Sequence, residues 1–301
     1  MYDPGDPREL TAAALVRRGS ATMRELLAMA YGEWPLKGLD INENVPHDQK
    51  VTLAADPNLP DLGSTNSCQR DILINDRLCR TEGDGIASTL GHEALHVLQA
   101  DNFWADRLKE IYGIDQVPKL VEGRNLHART STIAMSDVTA FDNTVKAFVQ
   151  SFNAVADSGN VAYLKRGEEM QARLHQTMMA GYPAWGKMPG NMDELWAAMK
   201  EFGLTPPPDI EKHLRSLPQN SSARDFMKSG AQPFVARELE KVNLNLTEAA
   251  RAVLWRQTLP MLYADLIEMF GDSKGRERFG FGANIRGQAQ LAAFGKKTPS
   301  V

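Results

Sequence analysis

The sequence predicts an α+β protein that is mostly helical, with a small sheet ahead of a central helix and a helical C-terminal region. Three observations favour this class. Several stretches carry apolar residues at three- and four-residue spacing, two short apolar runs between turn-rich segments are typical of strands, and 43% hydrophobic with 24% charged residues is a globular composition. In 301 residues we expect a helical region over 1–50, a core over 51–203 and a helical subdomain over 209–301.

The first region is predicted as two helices. Residues 11–31 are rich in alanine and leucine, and Gly19 with Ser20 interrupts them. Thr22 and Glu25 have the spacing of a capping box, in which each side chain accepts the other residue's backbone N–H. We therefore expect a second helix to begin after Thr22.

The next segment predicts a small sheet. Residues 51–55 and 71–75 are short apolar runs, and a turn-rich loop through Pro57, Pro60 and Gly63 separates them. The sheet therefore stands immediately before the central helix.

The central helix, predicted within residues 85–102, carries the chemistry of the chain. It contains His92-Glu93-Ala94-Leu95-His96. Four residues make slightly more than one helical turn, so His92 and His96 lie about 40° apart on one face and reach the same divalent ion. Glu93 is rotated about 100° from His92, where it flanks the ion and accepts a proton from a metal-bound water.

The residues around this motif distinguish a site from a surface helix. Leu90, Ala94 and Val97 gather opposite His92, and residues 85–100 contain no Lys or Arg. The alternative is a helix with two exposed histidines and an ion-paired glutamate, and such a helix normally carries Lys and Arg on its outer face. We therefore expect one face in the core and the other at a metal site.

This segment resembles the active-site helix of the zincin metallopeptidases. Gln99 and Asn102 stand where the metzincin branch has Gly and a third His, so the chain is similar instead to the gluzincin branch, in which a later helix supplies a carboxylate ligand. The resemblance implies a zincin-like core within residues 51–203 and a Zn2+ cofactor. It also implies a sheet whose edge strand holds the substrate backbone by strand addition, with residues 71–75 as the candidate strand.

A catalytic zinc held by two His needs a third protein ligand and a position open to water. The helix predicted over residues 161–180 offers Glu168 and Glu169. Burial favours Glu168, which projects from the apolar face of that helix, whereas Glu169 lies among charged and amide side chains. The gluzincin-like pattern Glu-x-x-Ala instead matches Glu169 with Ala172. Both glutamates remain candidates, and ordinary helix ion pairs are the alternative.

Other side chains are weaker candidates for this site. Glu122, His127 and His175 are the next groups that could complete the metal coordination. His175 and Tyr182 are candidates for stabilising the oxyanion of a tetrahedral intermediate, because the resemblance implies that a Tyr or His does so.

The remaining helices are predicted as packing elements. Residues 136–156 have the clearest amphipathic pattern, and Asn191 with Glu194 has the spacing of a helix cap. Prolines at 206–208 break the chain, and Pro260 is expected to kink a long C-terminal helix.

Charge and composition exclude several classes of function. A net charge of −4, a pI near 5.9 and the lack of a basic stripe argue against nucleic acid as a partner. No secretory signal pattern and no membrane-spanning apolar run occur, so we expect a protein that is cytoplasmic or exported without a cleavable signal peptide. Cys68 and Cys79 are expected to be reduced thiols.

The sequence therefore predicts a zinc metallopeptidase. His92 and His96, with Glu168 or Glu169, would hold Zn2+, Glu93 would be the general base, and a peptide or protein would be the substrate. Two alternatives stay open: a catalytically silent zincin-like interaction protein, and a zinc hydrolase of a non-peptide amide. The presence of Glu93 speaks against the silent protein, because two His bind zinc equally well without it.

Overall fold

The structure is a computed structural model that describes residues 3–41, 48–66, 70–99, 167–228 and 234–281. Several predictions lie outside these residues: the helix over 136–156, the candidate ligands Glu122 and His127, and the thiol of Cys68. The side chain of Glu168 also lies outside the described part.

The first half of the described chain combines helices with all four described strands. Its elements are α1 Pro7–Arg18, β1 Ser20–Thr22, α2 Met23–Tyr31, β2 Lys50–Ala55, β3 Gly63–Asn66, β4 Asp71–Ile74, α3 Asp76–Thr81 and α4 Ile86–Leu98.

The second half of the described chain is helical. Its elements are α5 Gly167–Trp185, α6 Met192–Glu201, α7 Pro208–Ser216, a 3-10 helix Ser222–Met227, α8 Phe234–Leu244, α9 Glu248–Val253, a π-helix Leu254–Thr258, α10 Leu259–Met269 and α11 Gly275–Arg278. The protein is thus α+β and mostly helical, as predicted. None of the described helices has the length and apolar character needed to cross a membrane.

The predicted caps account for several of these boundaries. Thr22 and Glu25 form the expected capping box at the start of α2, and the side chain of Asn191 caps α6. Gly19 ends α1 with a φ of 78°, a left-handed conformation that glycine adopts without strain. Near Pro260 the chain forms a π-helix ahead of α10, where a kink was expected.

The sheet has the strand order β1-β2-β4-β3. β2 and β4 pair in parallel, while β1 and β3 run antiparallel to their neighbours. The strand predicted at the edge, residues 71–75, corresponds to β4 and lies between β2 and β3, so that prediction is wrong. The edge strand beside α4 is β3. Its sequence, Gly-Ser-Thr-Asn, is typical of turns, and pairing with β4 makes it a strand.

Helix α4 lies between two hydrophobic clusters. Leu90 and Ala94 belong to the cluster formed with α1, α2 and the sheet, whereas Leu95 belongs to the larger cluster formed with α5 and the C-terminal helices. Helix α4 is therefore enclosed on several sides, which holds its side chains in fixed positions.

Cys79 is a free, buried thiol, and burial raises its pKa to about 11.

Candidate metal centre

Two packed helices bring three candidate metal ligands together. His92 and His96 come from α4 and Glu169 comes from α5, and one ligand atom of each lies within 4.8 Å of the other two. The Nε2 atoms of the histidines are 3.1 Å apart. Oε2 of Glu169 lies 3.5 Å from Nε2 of His92, and Oε1 of Glu169 lies 3.3 Å from Nε2 of His96.

The separation of the two Nε2 atoms is close to that of two ligand atoms on a tetrahedral ion. With bonds of about 2.0–2.1 Å, two ligand atoms of a tetrahedral zinc lie about 3.3–3.4 Å apart. The three side chains are also buried, with 8%, 5% and 2% of their surface exposed for His92, His96 and Glu169. A carboxylate and two imidazoles buried this closely need a cation or protons between them.

The position of Glu169 corrects one part of the sequence reasoning. Glu169 was expected among solvated polar side chains, but it is almost completely buried. The reason is that α5 packs against α2, α4, α8 and α10, so its polar face meets the polar face of α4 and not solvent. Burial lifts the carboxyl pKa, but hydrogen bonds to His92 and His96 outweigh burial and hold the pKa of Glu169 well below its usual range.

A short relay orients His92. Its Nδ1 lies 3.0 Å from Oε1 of Gln176, and Nε2 of Gln176 donates to the backbone carbonyl of Ser88 at 3.1 Å. A backbone carbonyl only accepts, so the amide nitrogen of Gln176 must face Ser88 and its oxygen must face His92. Nδ1 of His92 therefore carries a proton and donates it to Gln176.

A longer relay orients His96 by the same logic. Nδ1 of His96 lies 2.8 Å from Oε1 of Gln99, Nε2 of Gln99 donates to Oε1 of Gln171 at 2.8 Å, and Nε2 of Gln171 donates to the carbonyl of Leu262 at 2.9 Å. The terminal carbonyl fixes the direction of every bond in the chain. Nδ1 of His96 is therefore also protonated.

With both Nδ1 atoms protonated, the two Nε2 atoms face each other and Glu169. Two imidazole lone pairs 3.1 Å apart repel unless a proton or a metal ion lies between them. Burial opposes a charge on His96, but the Glu169 carboxylate more than compensates and raises the pKa of His96 to about 9. A proton thus occupies this position near neutral pH when no metal is bound, and a metal ion would replace it.

Glu93 lies against the edge strand β3. Thr65 donates its hydroxyl to Oε2 of Glu93 at 2.5 Å and also contacts the carbonyl of Glu93 at 3.2 Å. A Cβ atom at Gly63 would lie 2.8 Å from Cγ of Glu93, so glycine permits the close approach of strand and helix. Glu93 is 7% exposed, and its charge contributes to the raised pKa of His96. Strand β3 thus fixes the position of the predicted base.

The N-terminal helix holds both ligand helices. Glu9 accepts the backbone N–H groups of Ile86 and Ala87, each at 2.9 Å, and so caps α4, whose N-terminal Gly85 has no side chain to do so. Arg8 donates to the carbonyl of Met179 in α5 at 2.6 Å. That carbonyl cannot receive its usual helical bond because Pro183, four residues later, has no N–H.

The two candidates for oxyanion stabilisation are engaged elsewhere. The ring of His175 lies between those of Tyr31 and Phe270, at centroid distances of 5.5 and 5.4 Å, and burial lowers its pKa to about 3. Tyr182 donates its hydroxyl to Glu33 at 2.5 Å, and burial raises its pKa to about 12. Neither side chain belongs to the ligand cluster formed by the described residues.

Sequence reasoning missed the residues that support the ligands. Glu9 and Thr65 lie far from the motif in sequence, and no local pattern connects them to it. Gln99, Gln171 and Gln176 carried a partial signal, because uncharged amides on the histidine-facing sides of two helices are typical of hydrogen-bonded partners. The fold determined which amide pairs with which ring.

The chain matches no protein-family model, no curated protein and no solved structure. The site therefore has to be interpreted from its own geometry.

Proposed function

We propose that this protein is a zinc-dependent metallopeptidase. The observation that carries the proposal is the cluster of His92, His96 and Glu169, whose buried ligand atoms lie within 4.8 Å of one another. Glu93 follows His92 in the sequence, and its charge acts on His96. The Nε2 atoms of both rings face Glu169, and imidazole and carboxylate together are a donor set that suits Zn2+. The resemblance of the motif to the gluzincins supports the same assignment.

Each side chain then has a defined task. His92, His96 and Glu169 hold Zn2+, which when bound supplies a water of lowered pKa and a Lewis acid for the scissile carbonyl. Glu93 accepts the proton of the attacking water and later delivers it to the leaving amine. Thr65 keeps the Glu93 carboxylate in place through its hydroxyl. The Gln176 and Gln99 relays keep both rings in the tautomer that leaves Nε2 available.

The edge strand β3 is the proposed support for the substrate backbone. In the described sheet β3 pairs with β4 and has no second strand beside it, which is the arrangement to which an extended peptide adds as a further strand. Because Thr65 of β3 also contacts Glu93, a peptide added to this strand would pass close to the proposed base.

The test begins with metal content. We expect about one zinc per chain in the purified protein and its loss in the double variant His92→Ala, His96→Ala, measured by plasma mass spectrometry. A peptide library incubated with the zinc-loaded protein should then show cleavage, and the Glu93→Gln variant should not cleave although it retains zinc. Absence of zinc after incubation with the metal would refute the proposal. Bound zinc without cleavage of any peptide would refute the peptidase activity and leave a catalytically silent zinc protein or a zinc hydrolase of a non-peptide amide.

A further inference from the structure

One cation beside the ligand cluster has no role in the proposed mechanism. Arg173 lies on α5 one turn after Glu169, and its Nη2 atom is 4.0 Å from Oε2 of Glu169. At that distance the pair makes no direct hydrogen bond. Nε of Arg173 is buried and makes no hydrogen bond within the described part of the chain, while 16% of the side chain is exposed. The guanidinium therefore has a donor that none of the described residues uses, and part of the side chain is accessible.

The position of Arg173 on α5 directs it towards the metal centre. Glu169, Arg173 and Gln176 lie within about 60° of one another around the helix axis. Glu169 contacts Nε2 of His92, and Gln176 contacts Nδ1 of the same ring. Along the helix Arg173 lies between Glu169 and Gln176. The Oε2 atom of Glu169 that is 4.0 Å from Nη2 of Arg173 is also 3.5 Å from Nε2 of His92, so Arg173 flanks the metal centre on the His92 side.

Charge favours an anionic partner there. A divalent ion with the Glu169 and Glu93 carboxylates is formally neutral. Counted over these described side chains, Arg173 therefore adds a net positive charge in a largely buried setting. Such a charge attracts an anion more strongly than a solvated one does. A guanidinium also presents paired N–H donors that match the two oxygens of a carboxylate.

We propose that Arg173 binds a carboxylate of the substrate, close to the scissile bond, and so makes the site selective for acidic peptide ends. This inference rests on the proposed metallopeptidase function. Nη2 of Arg173 lies 4.0 Å from the metal ligand Glu169, so a substrate carboxylate bound by Arg173 would lie near the metal. Because consecutive Cα atoms of a peptide are about 3.8 Å apart, that substrate carboxylate belongs to the residue next to the cleaved bond. A C-terminal α-carboxylate and the side chain of an Asp share this chemistry.

Metal-binding thiol probes test the inference without any need for turnover. Three probes have the same mercaptoacetyl group: mercaptoacetyl-leucine with a free carboxylate, its neutral C-terminal amide, and mercaptoacetyl-aspartate with an amidated C-terminus. Their affinities for the zinc-loaded protein are measured by calorimetry, and the cobalt-loaded protein gives a second readout through its thiolate absorption band. The variants are Arg173→Gln, Arg173→Lys and, as a control, Arg215→Gln at an exposed arginine on α7.

We expect the wild type to bind at least one acidic probe roughly 10- to 100-fold more tightly than the neutral amide, as for a hydrogen bond to a charged group. The acidic probe that gains affinity identifies the source of the carboxylate. Arg173→Gln should remove the preference, Arg173→Lys should keep part of it because it retains the charge, and Arg215→Gln should not change it.

Three results would overturn the inference. The wild type could show no preference for either acidic probe, or Arg173→Gln could keep the full preference. Alternatively, Arg173→Gln could weaken all three probes equally, which would mean that Arg173 acts only through Glu169. Failure of the proposed function is distinguishable from these results, because a protein without bound metal would bind none of the probes and metal analysis would show the site empty.

Discussion

The two histidines of the candidate metal centre are supported by different parts of the molecule. His92 is held through Gln176, whose amide returns to Ser88 on the same helix as His92. The support of His96 passes through Gln99 and Gln171 and ends at Leu262 in the C-terminal helix α10. His92 is thus positioned by α4 and α5 alone, while the support of His96 also depends on α10.

This difference shows what the C-terminal helices contribute. Their sequence contains no recognisable catalytic motif, yet Leu262 supplies the carbonyl that fixes the direction of the longer relay. Gln171 is fully buried, whereas the bonds of Gln176 are only partly buried. We expect damage to the His96 relay to affect both metal binding and folding, and damage to the His92 relay to affect mainly metal binding.

The substitution with the largest expected effect distinguishes the role of Glu93 from that of the metal ligands. Glu93→Gln should lower peptide hydrolysis about 10²- to 10⁴-fold, because the attacking water loses its proton acceptor, while zinc affinity changes little. Activity assays and metal analysis on the same preparation measure both quantities. Full activity in the variant would remove Glu93 from the mechanism, whichever relay holds the ligands.

A pair of relay variants tests the comparison directly. Gln176→Ala and Gln171→Ala should each lower zinc affinity about 10- to 100-fold, since outer partners orient the ligand rings. Chelator competition measures this effect. Gln171→Ala should in addition lower the free energy of unfolding by about 1–3 kcal/mol, because it leaves the buried amide of Gln99 without this partner.

Denaturant unfolding of both metal-free variants measures the stability effect. Equal stability losses in the two variants would contradict the distinction between the relays.

The pH dependence of metal binding tests the shared proton. The pKa of His96 is raised to about 9 in the folded, metal-free protein. The bound proton therefore stabilises the fold fully below the ordinary histidine pKa of about 6.5. This stabilisation is lost as the pH rises through about 9. Zinc must displace this proton, so its apparent affinity should rise by up to about tenfold per pH unit in this window. Calorimetry in buffers of different ionisation enthalpy should detect release of about one proton at pH 7.5, and no release would contradict the tautomer assignment.

The smallest expected effect concerns Glu9, whose side chain caps α4. Glu9→Gln should destabilise the fold by about 1 kcal/mol, because an amide offers only one oxygen where Glu9 accepts two backbone N–H groups. Thermal or denaturant unfolding measures the loss, and Arg17→Gln on the exposed face of α1 is the matched control. An equal loss in both variants would mean that the cap does not stabilise α4.

Local sequence patterns correctly predicted the features that depend on residues close together in the sequence. The capping box at Thr22, the cap at Asn191 and the apolar side of α4 follow from interactions among residues a few positions apart. The spacing of His92 and His96 likewise places both rings on one helical face, and the structure confirms their proximity. The sequence left Glu168 and Glu169 as candidates, and Glu169 is a carboxylate that lies beside both rings.

Errors arose where a neighbouring element changed the meaning of a local pattern. The polar face of α5 was interpreted as solvent-exposed, but α4 covers it and makes Glu169 and Gln176 part of the site. The edge strand was predicted at residues 71–75, but β3 pairs with that strand and itself forms the edge of the sheet. A helical wheel and a run of apolar residues describe one element at a time, so neither identifies what covers a face or an edge.

The sequence by itself thus determined the helical class, the motif and its two ligand rings, because helical periodicity fixes side-chain directions over a few residues. The tertiary structure alone decided that Glu169 meets those rings, that Thr65 holds Glu93, and that Leu262 and Glu9 support the helices from 91 and 77 residues away. The physical reason is that these contacts join residues distant in sequence. Which distant groups meet depends on how helices and sheet pack to bury their apolar faces.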